Sequence, residues 1–258
     1  MTRITLVVTA ALSCFLFVAT GAGTANAAEI KLLSASAFEP AMPGLLADFE
    51  KSSGHQVMAE YRTAGAVADR IQKGEAVDVA IVTDPLIDAL QKQDRIIENS
   101  RVDLVKVGIG VFVQRGASKP DISSMDSVKR SLMAAKSIAY IDPMSGGASG
   151  IYMAALIERL GIAAEMKPKT KLAAPDGSLY EMVAKGEAEI GFNQTSEILA
   201  QPSVEPIGPL PAAIQNYTRF AAGIVTTSKQ ADVGKTLIGF LSSPTATAVL
   251  MTKGFEPR

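Results

Sequence analysis

The 258-residue sequence contains one cysteine, one histidine and no tryptophan. A zinc site built from Cys and His clusters is therefore excluded, as is a disulfide framework. Twenty-five Lys and Arg against 26 Asp and Glu leave a formal net charge of −1. That balance provides no electrostatic footprint for nucleic acid and no polybasic membrane anchor, so any bound anion must be held by local geometry. The only histidine, His55, follows a polar Ser52-Ser53-Gly54 turn, and the only cysteine, Cys14, lies in an N-terminal apolar run. Ser-His-Asp and Cys-His nucleophilic chemistry thus lacks its constituents. The glycine-rich stretch Asp142 to Gly150 has neither the Gly-Lys-Ser/Thr ending of a phosphate loop nor dinucleotide-fingerprint spacing, so no cofactor and no metal are expected.

The apolar run from Ile4 to Val18 follows Arg3 and precedes Ala25-Asn26-Ala27, an A-x-A cleavage pattern. At about 15 residues it is short of the ~20 that a membrane span needs. Residues 1–27 read as a secretory signal, which places the protein in the periplasm. Cleavage near Ala27 leaves 231 residues without cysteine, and losing Arg3 takes the charge from −1 to −2. A thiol-free chain suits an oxidising compartment.

With 48% hydrophobic residues there is enough apolar material for one large or two medium domains. Short β-like runs occur at Ile30 to Ser36, Gln56 to Tyr61, Val77 to Thr83, Val107 to Gln114, Ser137 to Ile141, Lys169 to Ala174, Ala188 to Gln194 and Ala221 to Thr227. Helical spacing links Phe38, Met42, Leu46 and Phe49, and later Met153, Leu156 and Leu160. Alternating strands and helices predict an α/β protein with parallel sheets flanked by helices. An internal echo supports two similar lobes. Lys73-Gly74-Glu75-Ala76 and Lys185-Gly186-Glu187-Ala188 lie 112 positions apart, and at that offset Gly65 falls on Gly177 and Thr83 on Thr195. Gly74 and Gly186 are expected to end helices in the left-handed conformation rather than to bind anything.

Two α/β lobes imply a cleft facing the carboxyl ends of the strands. Ser34 and Ser36 close the first strand, with Pro40 and Pro43 tolerable in the first turn of the helix that follows. Arg62 and Thr63 precede the next helix, and Ser145, Ser149 and Gly150 precede another. A serine before a helix is ordinarily an N-cap, but small and hydroxyl residues recurring at turns that one sheet brings together suit anion capture by backbone N–H groups. A guanidinium at a strand end can grip a carboxylate in two prongs.

These stretches resemble the periplasmic molybdate-binding proteins of ABC importers. The likeness lies in Ile30 to Phe38, in Thr63-Ala64-Gly65-Ala66 with Arg70-Ile71 and Lys73-Gly74, and in Val77 to Ile81 with Asp84. It continues through Asp142-Pro143, Gly150-Ile151-Tyr152, Leu160-Gly161 and Gly254-Phe255. The resemblance implies a two-lobed type II periplasmic binding fold, with lobe I at 28–112 plus 223–258 and lobe II at 113–222. It further implies crossover strands near Val107 to Gln114 and Ala221 to Thr227, and C-terminal helices from Ala231 returning to lobe I. A small anionic ligand, an importer permease as partner, no nucleic acid and a monomeric state are expected.

Carried over position by position, the family's first serine falls on Ala37, its second on or next to Thr63, and its late tyrosine on Phe220. Asn193 and Gln194 replace an apolar and aromatic pair. Each hydrogen bond to a charged ligand is worth ~1.5–3 kcal/mol, so two lost hydroxyls weaken a molybdate site by orders of magnitude. Arg62 with two amides points instead to an organic carboxylate. Ser100 to Leu104, Gly116 to Ser123 and Ser137 to Tyr140 also resemble aconitate isomerase, which implies cis/trans interconversion by proton transfer, with Glu39 or Tyr140 as candidate proton carriers. A true molybdate or tungstate binder is the remaining reading.

Overall fold

The computed structural model describes residues 27–258. The expected export signal, with Arg3 and Cys14, lies outside the described residues, apart from Ala27. Among the described residues no helix is long and apolar enough to cross a membrane.

The first sheet opens with β1 (Glu29–Ala35), followed by α1 (Met42–Ser53), β2 (Gln56–Arg62), α2 (Ala64–Gln72), β3 (Val79–Thr83), α3 (Asp84–Lys92) and β4 (Val102–Val107). The chain then enters a second sheet through β5 (Ile109–Gln114), α4 (Met125–Ala134), β6 (Ile138–Ile141), α5 (Ala148–Arg159), α6 (Ala163–Met166) and β7 (Thr170–Ala173). That sheet is completed by α7 (Ser178–Ala184), β8 (Ile190–Gln194), α8 (Thr195–Leu199) and β9 (Val204–Pro209). It returns with β10 (Thr218–Ile224), α9 (Ala231–Leu241), α10 (Pro244–Thr252) and β11 (Glu256–Pro257). The strand orders are β11-β4-β10-β3-β1-β2 and β7-β6-β8-β5-β9. Each sheet combines parallel β-α-β units with antiparallel strands from the crossings: β1 runs parallel to β2 and β3, β6 to β7 and β8, whereas β10 and β5 run against their neighbours.

Both faces of each sheet are covered, which explains the continuous apolar runs. In β3, Val79 and Ile81 join the core with Phe38, Phe49 and Leu237, while Ala80 and Val82 pack with Val67, Ile71 and Leu90 on the other face. α9 and α10 pack through Leu237, Leu241 and Leu250 onto the first sheet, as expected. The internal echo is structural. Gly74 (φ 84°) and Gly186 (φ 73°) each follow a helix, and the next residue's N–H bonds back to Arg70 and Met182 respectively. This closes the helix end with a left-handed glycine that a Cβ would strain.

The crossings differ from expectation. Val107 to Gln114 is two strands in different sheets, broken at Gly108, and the later strand spans Thr218–Ile224, three residues before its expected start. Lobe boundaries after 112 and 222 would cut β5 and β10; the chain changes sheet at Gly108 and between β9 and β10. Pro40 also falls outside α1, because a single 3-10 turn at Ser36–Phe38 intervenes and only Pro43 occupies the first turn of α1.

One side chain ties the two crossings together. Gln215 Oε1 accepts from Ile109 N (2.8 Å), and Nε2 donates to Ile109 O (3.0 Å) and Leu210 O (3.3 Å). Gly108 must be small here, since a Cβ would stand 2.9 Å from Gln215 Nε2. Gln215→Leu keeps the bulk but takes the amide away from the Ile109 N–H and the Leu210 C=O, while Ile109 O keeps its bond from Leu210 N. Urea unfolding is expected to show a loss of about 1–3 kcal/mol; unchanged stability would mean that the crossings are held elsewhere.

Candidate functional site

Parallel pairing sets Ala35 beside Arg62 and Ile141 beside Ala173, so the carboxyl ends of both sheets face each other. A cavity of about 550 Å³ lies between them. Its first-sheet wall comprises Ser36, Ala37, Glu39, Tyr61, Arg62, Thr63 and Phe220; Ser149, Asp176, Tyr180, Asn193, Gln194 and Glu197 form the opposite wall. The N-termini of α2 and α5 reach it through Ala64 and Ala148, giving the cavity two positive dipole ends.

Across the cavity mouth the lobes touch through backbone. Gly65 N donates to Gly146 O at 3.1 Å, and the Thr63 hydroxyl donates to Ser145 O. A Cβ on Gly65 would stand 2.7 Å from Gly146 Cα.

The sequence candidates separate accordingly. Ser36, Ala37, Arg62, Thr63, Ser149, Asn193, Gln194 and Phe220 all line the cavity, as does Glu39. Several are already committed. Thr63 caps α2 by accepting from Ala66 N while donating across the mouth, and Ser149 Oγ donates to Asn193 Oδ1 at 2.7 Å. Asn193 is further fixed by Gln194 N and by its own donation to Tyr180 Oη at 2.8 Å. Phe220 is buried edge-on against Phe38. Arg62, with its side chain 52% exposed, turns to Glu60 and to the Tyr61 carbonyl, an exposed pairing that costs little to exchange for a ligand.

Four candidates do not line the cavity. Ser34 is fully buried and bonds to the Ala35 carbonyl. Ser145 serves the mouth contact through its carbonyl. Gly150 is required by packing, because a Cβ would lie 1.9 Å from Ile141 O. Tyr140 packs into the second lobe's core, with its hydroxyl beside Thr170. His55 accepts from Ala28 N at the opposite end of the sheet.

Residues not anticipated from sequence complete the wall. Tyr61 is pushed up to about 12, first by burial and then by the Glu39 charge. Tyr180 is raised well above 10.0, first by burial and then by Glu197. Both phenols therefore keep their protons as donors. Glu197 is raised from 4.5 to about 7, chiefly by burial, with Glu39 adding to the rise and the Ser36 hydroxyl opposing it. The 112-residue offset that pairs Thr195 with Thr83 contains the missing signal, since it marks 195–197 as the turn after a strand end.

The sequence matches the family described as "Bacterial extracellular solute-binding protein" over residues 30–256. The chain belongs to that family. It is 32% identical over 198 residues to an aconitate isomerase from Pseudomonas sp., covering 76% of this chain and 73% of that protein. It is 27% identical over 248 residues to the molybdate-binding protein ModA of Azotobacter vinelandii, covering 93% and 96% of the two chains. The solved Azotobacter vinelandii periplasmic molybdate-binding protein superposes with a TM-score of 0.75 at 19% identity, over 89% of this chain and 99% of that one. At that identity the superposition shows the shared fold.

Two outcomes are expected from this geometry. Gly65→Ala overpacks the mouth only when the lobes touch, and a cost of about 1–3 kcal/mol there lowers the closed-to-open ratio roughly 5- to 150-fold. Scattering should report a larger radius of gyration, and an unchanged radius would refute the contact. For Glu197, the unfolded chain ionises near 4.5 and the folded chain near 7. Its contribution to stability is therefore complete below pH 4.5 and lost as pH rises to about 7. Glu197→Gln should melt higher than wild type at pH 8 and show no such advantage at pH 4; an advantage of equal size at both would place the carboxyl in water.

Proposed function

We propose that this chain is exported to the periplasm and captures a small organic polycarboxylate between its lobes, which close about Gly108 and the segment before Thr218, for delivery to a membrane permease of an ABC importer. The observation that carries this reading is Gln194. Its side chain is buried, makes no hydrogen bond to any described residue, and opens into the cavity. The amide reaches the open space of the cavity, where it is available to donate to or accept from a ligand. The cavity of about 550 Å³ falls in the range of small organic-molecule sites. Two helix N-termini, Ser36, Tyr61 and Tyr180 add donors, and Arg62 can turn inward to a carboxylate. Molybdate and tungstate are the weaker candidates, because Ala37 and Phe220 bring no hydroxyl to the wall and Thr63 and Ser149 spend theirs on protein.

A second reading is that the cavity also converts its ligand, as an aconitate isomerase. It is favoured by the 32% identity to such an enzyme and by the half-buried Glu197 carboxyl in the cavity wall. Interconversion of cis- and trans-aconitate by the purified protein tests it.

The binding reading is tested by thermal shift against molybdate, tungstate, sulfate, citrate and trans-aconitate. Stabilisation by the tricarboxylates is expected, of about 2.7 kcal/mol when the ligand is present at one hundred times its Kd. Stabilisation by molybdate or tungstate alone would overturn it.

A further inference from the structure

Glu197 is a carboxyl that the fold engages through the Ser36 hydroxyl and not through any described cation. It stands in α8 on the cavity wall, three residues after Gln194, and makes no ion pair with any described residue. The turn after β1 presents Ser36 and Glu39 to it, and α7 presents Tyr180; none of these is a cation. Tyr61, Arg62 and Asp176 line the same cavity. Asp176 is committed to Ser178 N (3.0 Å), and Arg62 is tied to Glu60. Glu197 thus has the Ser36 hydroxyl beside it but no cation, and a carboxyl left without a countercharge in a ligand cavity is a candidate functional group.

We propose that Glu197 is the catalytic acid-base residue that carries a proton between two carbons of an unsaturated tricarboxylic acid bound in this cavity. The proposal rests on the isomerase reading above. In its ionised form Glu197 removes a proton from the substrate methylene: the C–H bond breaks, the carboxyl O–H forms, and the C–H electron pair becomes a new double bond to the central carbon. The former double bond opens, and its electron pair resides on the former vinylic carbon and its attached carboxylate. Glu197 then delivers a proton to that carbon, either the one it took or one exchanged with solvent while on the carboxyl, so one C–H bond breaks and one forms and the reaction is balanced without oxidant, reductant or co-reactant. The new double bond can form with either geometry, which interconverts cis and trans isomers.

The surroundings suit the charge that develops. Tyr180 Oη accepts from Asn193, which leaves the phenol proton free to be donated, and the Gln194 amide has no other partner. A carboxyl that titrates at about 7 presents both base and acid at neutral pH.

The test follows trans-aconitate by proton NMR in D2O with the wild type and Glu197→Gln, with thermal shift confirming that each binds trans-aconitate. The wild type is expected to form cis-aconitate and to incorporate deuterium, with a rate that rises as pH passes through about 7. Glu197→Gln should lose about 10²–10⁴-fold in rate while still binding trans-aconitate. Interconversion by Glu197→Gln at the wild-type rate would overturn Glu197 and leave the isomerase reading standing. Binding by the wild type without any interconversion would overturn both.

Discussion

Two adjacent backbone crossings, joined by the Gln215 amide and by the Leu210 N–H bond to Ile109 O, govern the geometry of this protein. Gln215 satisfies the N–H and C=O of Ile109 and the C=O of Leu210, so the strand entering the second lobe and the segment leaving it are fixed side by side. Gly108 leaves room for that amide, and its own carbonyl accepts from Thr195 N and Oγ1 at the start of α8. The same hinge therefore sets where α8 begins, and hence where Gln194 and Glu197 meet the cavity. In the proposed closure, a rotation about these adjacent crossings would open and close the mouth without disturbing either sheet.

Carboxyl groups outnumber cations on the cavity wall. Three carboxyl groups, Glu39, Asp176 and Glu197, line it, and the one guanidinium on its wall is tied to Glu60. Two helix N-termini and neutral donors supply the compensating potential. A tetrahedral dianion would meet carboxylates on both walls without a dedicated cation. An extended acid can place its own carboxylates toward the helix ends and toward Arg62, keeping its carbon skeleton near Glu197 and Phe220.

The α/β class, the lobe echo at Gly74 and Gly186, and Ser36, Arg62 and Thr63 of the first wall were legible from sequence because they rest on local chemistry: short apolar runs alternating with helical spacing, helix-end glycines, and polar residues at strand ends; Ala37, Phe220 and Glu39 came through resemblance. The hinge was not, since Val107-Gly108-Ile109 continues an apolar run, and only the third dimension shows that the glycine separates two sheets. Thr63 and Ser149 were identified by position, but their hydroxyls serve the protein first. Glu197 escaped notice because α8 is only five residues long and carries no helical period to mark its face. Tyr140 was a candidate through the isomerase resemblance, yet its strand is buried on both faces and it packs into the second lobe's core.

The glycine contact at the mouth also has a meaning in time. In the proposed capture cycle a ligand enters while Gly65 and Gly146 are apart, so their contact would not limit capture. It leaves only after the Gly65–Gly146 and Thr63–Ser145 bonds have broken, which makes those two bonds a clock on residence. On that reading, side chains deeper in the cavity would decide which molecule is held, and the residue with no side chain at its entrance for how long.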